Sequence, residues 1–179
     1  MERRPEARPA DVPGLTLRTA RPDDAALVLE LIRELAEFER LAHEVSADAA
    51  ALRRHLFGES PGAEVLIAEV DGAPAGFALF FPTFSTFRAR PGLYLEDLFI
   101  RPAFRGRGIG RSFLAHLAGL ALARGCGRFE WSVLDWNERA IAFYRRLGAC
   151  PMADWTVYRL DGEGLETLAR TRGMGLGPE

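Results

Sequence analysis

Residues 93–110 read LYLEDLFIRPAFRGRGIG, and this stretch decides the fold. Its first part, Leu93–Ile100, is a mostly apolar run typical of a strand, and Arg105–Gly110 is a glycine-rich turn that opens a helix. That helix carries an apolar stripe and is predicted to end at Gly125 or Gly127, before a second strand over 128–133. A strand, a helix and a strand form a crossover unit, which predicts two parallel strands with the turn at the carboxyl end of the first.

Shorter patterns on both sides complete the predicted domain. Strands are predicted over 15–19, 65–70 and 76–81. A first helix is predicted to start at Arg21-Pro22-Asp23-Asp24 and to carry an apolar stripe that ends at Phe38. Two further helices are predicted, one over 46–57 with Ser46 as its N-cap and one over about 137–147. Asp71-Gly72 predicts a hairpin between the second and third strands, so antiparallel pairs accompany the parallel pair. The expected fold class is α/β: a mixed, mostly antiparallel sheet with a central parallel strand pair and helices on both faces.

Length and composition indicate one compact domain in the cytoplasm. The chain has 179 residues, and we expect a flexible arm over 1–13, one domain over 14–161 and a tail over 162–179. A net charge of −2 with mixed signs gives no basic face for nucleic acid or a membrane surface, and no apolar run is long enough to span a bilayer. Cys126 and Cys150 stand far apart and the three histidines share no ligand spacing, so no metal site is predicted.

The glycine-rich turn predicts a phosphate site, because a helix N-terminus presents unpaired N–H groups and a favourable dipole. The chain contains no lysine, which excludes the phosphate loop of nucleotide hydrolases. A dinucleotide fingerprint starting at Gly106 would place its third glycine at Arg111, although Glu130 lies where a ribose-binding acid would stand. An oxidoreductase that binds NAD therefore stays open as an alternative at this point.

The pattern Arg/Gln-x-x-Gly-x-Gly/Ala is met in full by Arg105, Gly108 and Gly110, and it resembles the acetyl-CoA-binding motif of the GNAT superfamily of N-acetyltransferases. The flanking sequences resemble the diamine (spermidine/spermine) and thialysine N-acetyltransferase branch of that superfamily. They are LIRELAEFE at 31–39, LYLED at 93–97, WNERA at 136–140, Phe143-Tyr144, and LGA at 147–149. The resemblance covers about residues 15–160 and implies a single GNAT-type domain.

The resemblance implies a site for acetyl-CoA along the crossover unit and the last helix. The backbone of Leu98, Phe99 and Ile100 would lie beside the pantetheine arm. The pyrophosphate would rest on Arg105, Gly106, Arg107, Gly108, Ile109, Gly110 and Arg111, and further cofactor contacts would come from Asn137, Ala140, Tyr144 and Arg146. Asn137 and Tyr144 are seven residues apart, so on one helix they share a face at a separation of ~10 Å.

The chemistry of acetyl transfer requires a group that removes a proton and one that supplies a proton. An alkyl amine has a pKa near ~10.4 and must lose a proton before it attacks a thioester. By resemblance, Glu96 binds the ammonium group and takes its proton through an ordered water, and Tyr144 protonates the departing thiolate. Since Glu96 and Asp97 are adjacent on a strand, alternation predicts that at most one of them faces the cleft.

The expected substrate side consists of Phe38, Glu39, Glu96, Glu130, Trp131 and Ser132. Structural roles compete with these functional ones: Asn137 as a simple helix cap, Tyr144 as a core aromatic and Glu39 as a solvated helix end. In the loop at 83–87 the polyamine-acetylating members carry an acid and a tryptophan where this chain has Ser85 and Phe87, which favours a smaller amine such as thialysine or a similar amino acid side chain.

The resulting hypothesis is direct transfer of acetyl from acetyl-CoA to a primary amine of a small molecule, a thialysine-like amino acid or a diamine, by a homodimer. The dimer is implied by resemblance only. Within the family, a polyamine or a protein amine is the alternative acceptor. Outside it, the chain could be a non-catalytic module that senses acyl-CoA, although a sensor has no need of Glu96 and Tyr144 together.

Overall fold

A computed structural model describes residues 12–171 of the chain. The predicted arm over 1–13 and tail over 162–179 therefore lie partly outside the described residues. The chain divides into two compact units between Ser132 and Val133, and each is described by itself. The crossover unit that the sequence predicts falls within the first.

The first unit is built on a five-stranded sheet with the spatial order β1-β2-β3-β4-β5. The strands are β1 (Leu15–Thr19), β2 (Glu64–Val70), β3 (Ala73–Ser85), β4 (Arg90–Ile100) and β5 (Phe129–Trp131). Neighbours pair antiparallel except β4 and β5, which are parallel. The predicted mixed sheet with one parallel pair is confirmed.

Three helices accompany this sheet: α1 (Ala25–Glu39), α2 (Ala49–Phe57) and α3 (Ile109–Ala123). The prediction that Ser46 caps α2 is wrong. Asp48 is the cap, because its carboxylate accepts the main-chain N–H of Ala51 at 2.6 Å and the helix begins two residues later than a cap at Ser46 would place it. The helix that the sequence predicts after the glycine turn is confirmed as α3.

The hydrophobic core joins α1 to one face of the sheet. Val28, Leu31 and Leu35 of α1 are buried together with Val65, Ile67, Phe77 and Phe99 of the inner strands. On α3, the predicted stripe is buried as well, with Ile109, Phe113, Leu114 and Leu117 almost fully enclosed. Leu93, Leu95 and Phe99 of β4 are buried as well, so packing fixes the middle and the end of the strand, where the candidate site begins.

The β3–β4 hairpin is longer than the sequence predicts. The sequence predicts a third strand that ends at Phe81, but β3 continues to Ser85 and pairs with Arg90. Pairing of β3 with β2 stops at Phe80, so Pro82 lies on a part of the strand with one unpaired edge, where its missing N–H costs little. Asp71 and Gly72 both have positive φ in the β2–β3 turn, as the predicted hairpin requires.

The second unit contains α4 (Glu138–Arg146) and α5 (Gly162–Thr171). Asn137 caps α4, because its side chain accepts the main-chain N–H of Ala140 at 3.2 Å. Gly148 has a φ of 91° just after the helix, as the predicted stop at this glycine requires.

No helix among residues 12–171 has the length and apolar character needed to cross a membrane.

Candidate active site

The two parallel strands separate where the cofactor arm is expected. β5 pairs with β4 only from Leu93 to Leu95, whereas β4 continues to Ile100. Within the described residues, the part of β4 beyond Leu95 therefore has a strand partner on the β3 side alone. An extended ligand with amide groups can add to such an open edge as a further strand does. Leu98, Phe99 and Ile100 lie on this part of β4, as predicted.

The turn between β4 and α3 has a backbone that only glycine adopts easily. Gly106 and Gly108 have φ values of 79° and 93°, in the left-handed region. Gly108 is the N-cap of α3, so the change of direction occurs at the point where the helix begins. Glycine at both positions lets the chain turn back on itself and leaves room for a ligand to approach the backbone.

The N–H groups of this turn are available to a ligand. Among the described residues, none of the six main-chain N–H groups from Gly106 to Arg111 donates a hydrogen bond to a protein acceptor. The first bond of the helix comes from Ser112, whose N–H donates to the Gly108 carbonyl at 3.1 Å. Arg107 and Arg111 are exposed on the same segment and add positive charge. N–H groups without a protein acceptor, a helix N-terminus and cations suit a pyrophosphate.

Arg105 has a second set of contacts besides its place in the predicted motif. Its Nε donates to the Ile100 carbonyl at 2.8 Å, and its guanidinium lies over the ring of Phe38 at 4.6 Å and near that of Phe99 at 5.6 Å. Phe38 is on the last turn of α1, next to Glu39. The structure thus brings a predicted substrate-side residue, Phe38, into contact with a predicted cofactor residue.

A β-bulge in β4 changes the relation between Glu96 and Asp97. Leu79 pairs with Asp97 and Phe80 with Leu95, so Glu96 is an extra residue without a partner in β3. Strict alternation of side chains, on which the sequence argument relied, does not hold at a bulge. Glu96 is exposed and Asp97 is mostly enclosed, and the assignment of Glu96 to the cleft stays a prediction.

Among the carboxyl groups of residues 12–171, Asp97 has the largest shift in pKa. Burial raises the pKa of Asp97 to about 6, and repulsion from Glu96 and then from Glu39 adds to this effect. Burial also raises the pKa of Glu39. Three carboxyl groups thus interact between the end of α1 and the bulge of β4. Sequence reasoning missed Asp97, and the available signal was its place beside Glu96 on an otherwise apolar strand.

The raised pKa of Asp97 predicts that Asp97→Asn stabilises the protein at pH 7.5. The charged carboxylate is disfavoured in the folded state, so the wild type loses stability relative to the variant as pH rises from about 4 to 6. A pKa that is higher by about two units lowers the free energy of unfolding of the wild type by about 2 kcal/mol at pH 7.5, after allowance for the residual exposure of Asp97. Urea unfolding at pH 4 and pH 7.5 measures this difference.

The same replacement at the exposed Asp23 serves as the control for that measurement, because it removes a carboxylate of the same type outside the cluster. An equal effect of Asp97→Asn at both pH values would show that Asp97 ionises as an ordinary surface carboxyl group.

The three predicted substrate residues in β5 and directly after it have partners within the first unit. The Glu130 carboxylate accepts from the Nε of Arg128 at 2.7 Å, and the ring of Trp131 lies 5.0 Å from that of Phe129. The hydroxyl groups of Ser132 and Tyr94 are hydrogen-bonded at 2.7 Å. These contacts fix the end of β5 beside β4.

Four predicted cofactor residues lie in the second unit, on or next to α4. Asn137 is the N-cap and Ala140 supplies the N–H that it accepts. Tyr144 is one turn beyond Ala140 and its ring lies 5.4 Å from that of Phe143, while Arg146 is exposed at the last position of the helix. The predicted capping role of Asn137 is confirmed, and its amide nitrogen takes no part in the cap.

Within residues 12–171, no cluster of three or more His, Cys, Asp or Glu side chains is arranged to hold a metal ion.

Comparison with known proteins gives concordant matches. Residues 28–149 match the model of the acetyltransferase (GNAT) family. The thialysine N-epsilon-acetyltransferase of Mus musculus is 39% identical over 86% of this chain and 96% of its own length. The L-ornithine N5-acetyltransferase of Arabidopsis thaliana is 31% identical over 85% of this chain and 86% of its own length. An integron cassette protein from the mobile metagenome of V. cholerae has a similar structure, with a TM-score of 0.75 and 26% identity over 88% of this chain and 98% of that one.

Proposed function

The chain belongs to the GNAT acetyltransferase family and is an acyltransferase that acetylates amines, and we propose that its acceptor is the terminal amine of an amino acid side chain. Members of the family use acetyl-CoA as cosubstrate. The observation that carries the cofactor assignment is the row of six N–H groups from Gly106 to Arg111, which no described group of the protein satisfies. The oxidoreductase alternative is not retained, because the family match covers the turn on which it rested.

We propose that the predicted residues hold acetyl-CoA in this way. The N–H groups at 106–111 bind the pyrophosphate, with Arg107 and Arg111 close to its charge. The open edge of β4 at 98–100 pairs with the amides of the pantetheine arm, and α4 contributes Asn137, Ala140 and Arg146. The bound cosubstrate supplies an acetyl group as a thioester.

The carboxyl groups at the bulge support the proposed handling of the amine. Glu96 binds the substrate ammonium and removes its proton through a water molecule, and Glu39 adds negative charge that favours a cation. A bound ammonium also favours the ionised form of Asp97, because its positive charge offsets the repulsion among the three carboxylates. Tyr144 donates a proton to the thiolate after transfer.

The proposed acceptor class rests on two relatives and on one difference between this sequence and the polyamine-acetylating members of the family. The relatives named for thialysine and L-ornithine act on the terminal amines of α-amino acids, and they match this chain over most of its length. A spermidine/spermine N(1)-acetyltransferase-like protein of Homo sapiens is 32% identical, which keeps polyamines as the second candidate class. Ser85 and Phe87 stand where polyamine-acetylating members carry an acid and a tryptophan, and this favours the amino acid.

A thiol-release assay with acetyl-CoA tests this proposal. The acceptors are thialysine, ornithine, lysine, putrescine and spermidine, each at the same concentration. We expect the highest kcat/KM with one of the amino acids. A preference for spermidine would replace the proposed acceptor class, and binding of acetyl-CoA without release of CoA for any acceptor would support the sensor hypothesis.

Replacement of Glu96 by glutamine is expected to change the pH profile of kcat/KM. The amide cannot accept the amine proton, so the variant depends on the small fraction of free amine and its rate continues to rise toward pH 10. Steady-state rates between pH 6 and 10 measure this change, and Glu59→Gln on an exposed loop is the matched control. An unchanged profile would assign proton removal to another group.

We propose that the protein is a cytoplasmic homodimer. In the second unit, Trp155, Val157 and Tyr158 are 72%, 84% and 91% exposed, and apolar side chains at this density favour association with another chain. Light scattering of the purified protein gives the oligomeric state, and a monomer at micromolar concentration would contradict the proposal.

A further inference from the structure

We infer that Phe38 is a positioning residue for the turn at 105–111, which we call the cofactor turn. Phe38 acts through Arg105, so the end of α1 controls the affinity for acetyl-CoA. This inference rests on the proposed cofactor site. It gives Phe38 a role beyond the substrate-side contact that the sequence predicts.

The first step is the fixed position of Arg105. Its Nε donates to the carbonyl of Ile100, the last residue of β4, at 2.8 Å. This bond spans the four residues between the end of the strand and Arg105, and it sets the direction in which the chain leaves the strand. A change in the orientation of Arg105 therefore changes the backbone that presents the N–H groups of Gly106 to Arg111.

The second step is what holds the guanidinium. The Phe38 ring covers it at 4.6 Å, within the range of a cation–π contact, and the Phe99 ring lies farther away at 5.6 Å. Phe99 belongs to the core and is 3% exposed, so its ring is held by packing, whereas Phe38 is 40% exposed. A ring exposed to this extent contributes little to the core, and its contact with Arg105 explains an aromatic residue at this position.

The third step is the attachment of α1. Arg101 follows β4, donates to Glu34 and Glu30 of α1, and donates to the Pro74 carbonyl at 3.1 Å. This arrangement ties the helix to the same end of β4 and limits the motion of Phe38 relative to Arg105. The substrate-side end of α1 and the cofactor turn are therefore linked by direct contacts.

A double-mutant cycle tests the inference. Phe38→Leu is expected to raise the dissociation constant and the KM for acetyl-CoA about three- to fivefold, as loss of an exposed cation–π contact predicts. Arg105→Gln removes the cation and keeps a residue that the motif accepts. In that background, Phe38→Leu is expected to have no further effect on the dissociation constant.

Phe38→Tyr keeps the ring and is expected to retain the wild-type affinity. Phe57→Leu, at the end of α2, removes a partly buried ring away from Arg105 and is the matched control for a general loss of packing. An equal effect of Phe38→Leu with and without the Arg105 cation, or no effect on affinity at all, would overturn the inference. Failure of the wild type to bind acetyl-CoA would instead overturn the proposed cofactor site.

Discussion

Replacement of Gly108 by valine is expected to raise the dissociation constant for acetyl-CoA by about one to two orders of magnitude while the protein remains folded. Gly108 has a φ of 93°, where a β-branched side chain is strained by about 1–3 kcal/mol. Relief of that strain rotates the adjacent peptide groups, so at least one N–H of the turn no longer points at the pyrophosphate. A lost hydrogen bond to a charged group costs about 1.5–3 kcal/mol, which gives the expected factor.

The measurement is calorimetric titration with acetyl-CoA, and the far-ultraviolet circular dichroism spectrum verifies the fold. Gly119→Val on α3 is the matched control, because a Cβ at Gly119 meets no atom within 4 Å and the residue lies in the same helix. Wild-type affinity in the Gly108 variant would mean that the backbone at 106–111 does not bind the cofactor. Weak binding in both variants would point to a general effect on α3.

The glycine turn is also the clearest case in which the sequence predicts the local backbone structure. Its requirements are local: positive φ at Gly106 and Gly108, a helix beginning at Ile109, and no lysine anywhere in the chain. Local rules of backbone geometry are sufficient to predict such a feature. The parallel pairing of β4 and β5 follows equally well, because a strand-helix-strand crossover has few alternatives.

The features that sequence missed depend on contacts between distant residues. Alternation along β4 predicted opposite directions for Glu96 and Asp97, but the pairing with β3 inserts Glu96 as an extra residue. Nothing in the strand itself marks this bulge. The pKa of Asp97 likewise depends on burial and on Glu39, which lies more than fifty residues earlier in the chain.

The contact between Phe38 and Arg105 has the same origin. Sequence placed one residue on the substrate side and the other in the cofactor motif, and only the packing of α1 against β4 brings them within 4.6 Å. A predicted substrate-side residue and a predicted cofactor residue of the first unit are therefore in direct contact.

Replacement of Tyr144 by phenylalanine is expected to lower kcat by more than about tenfold and to leave the dissociation constant for acetyl-CoA almost unchanged. In the proposed reaction the phenol supplies a proton to the departing thiolate, a contribution that general acids commonly make. The variant keeps the ring, and with it the 5.4 Å contact to Phe143 and the packing of α4. Stopped-flow release of thiol at saturating amine measures kcat.

Tyr158→Phe is the matched control for this change, because Tyr158 is 91% exposed in the same unit and loses the same hydroxyl group. A small thiol ester with a more acidic leaving group needs less help from an acid, so the loss in kcat is expected to shrink with such a donor. Equal kcat for the wild type and the Tyr144 variant would remove Tyr144 from the acid role. A loss of the same size with both donors would assign the hydroxyl to positioning rather than proton transfer.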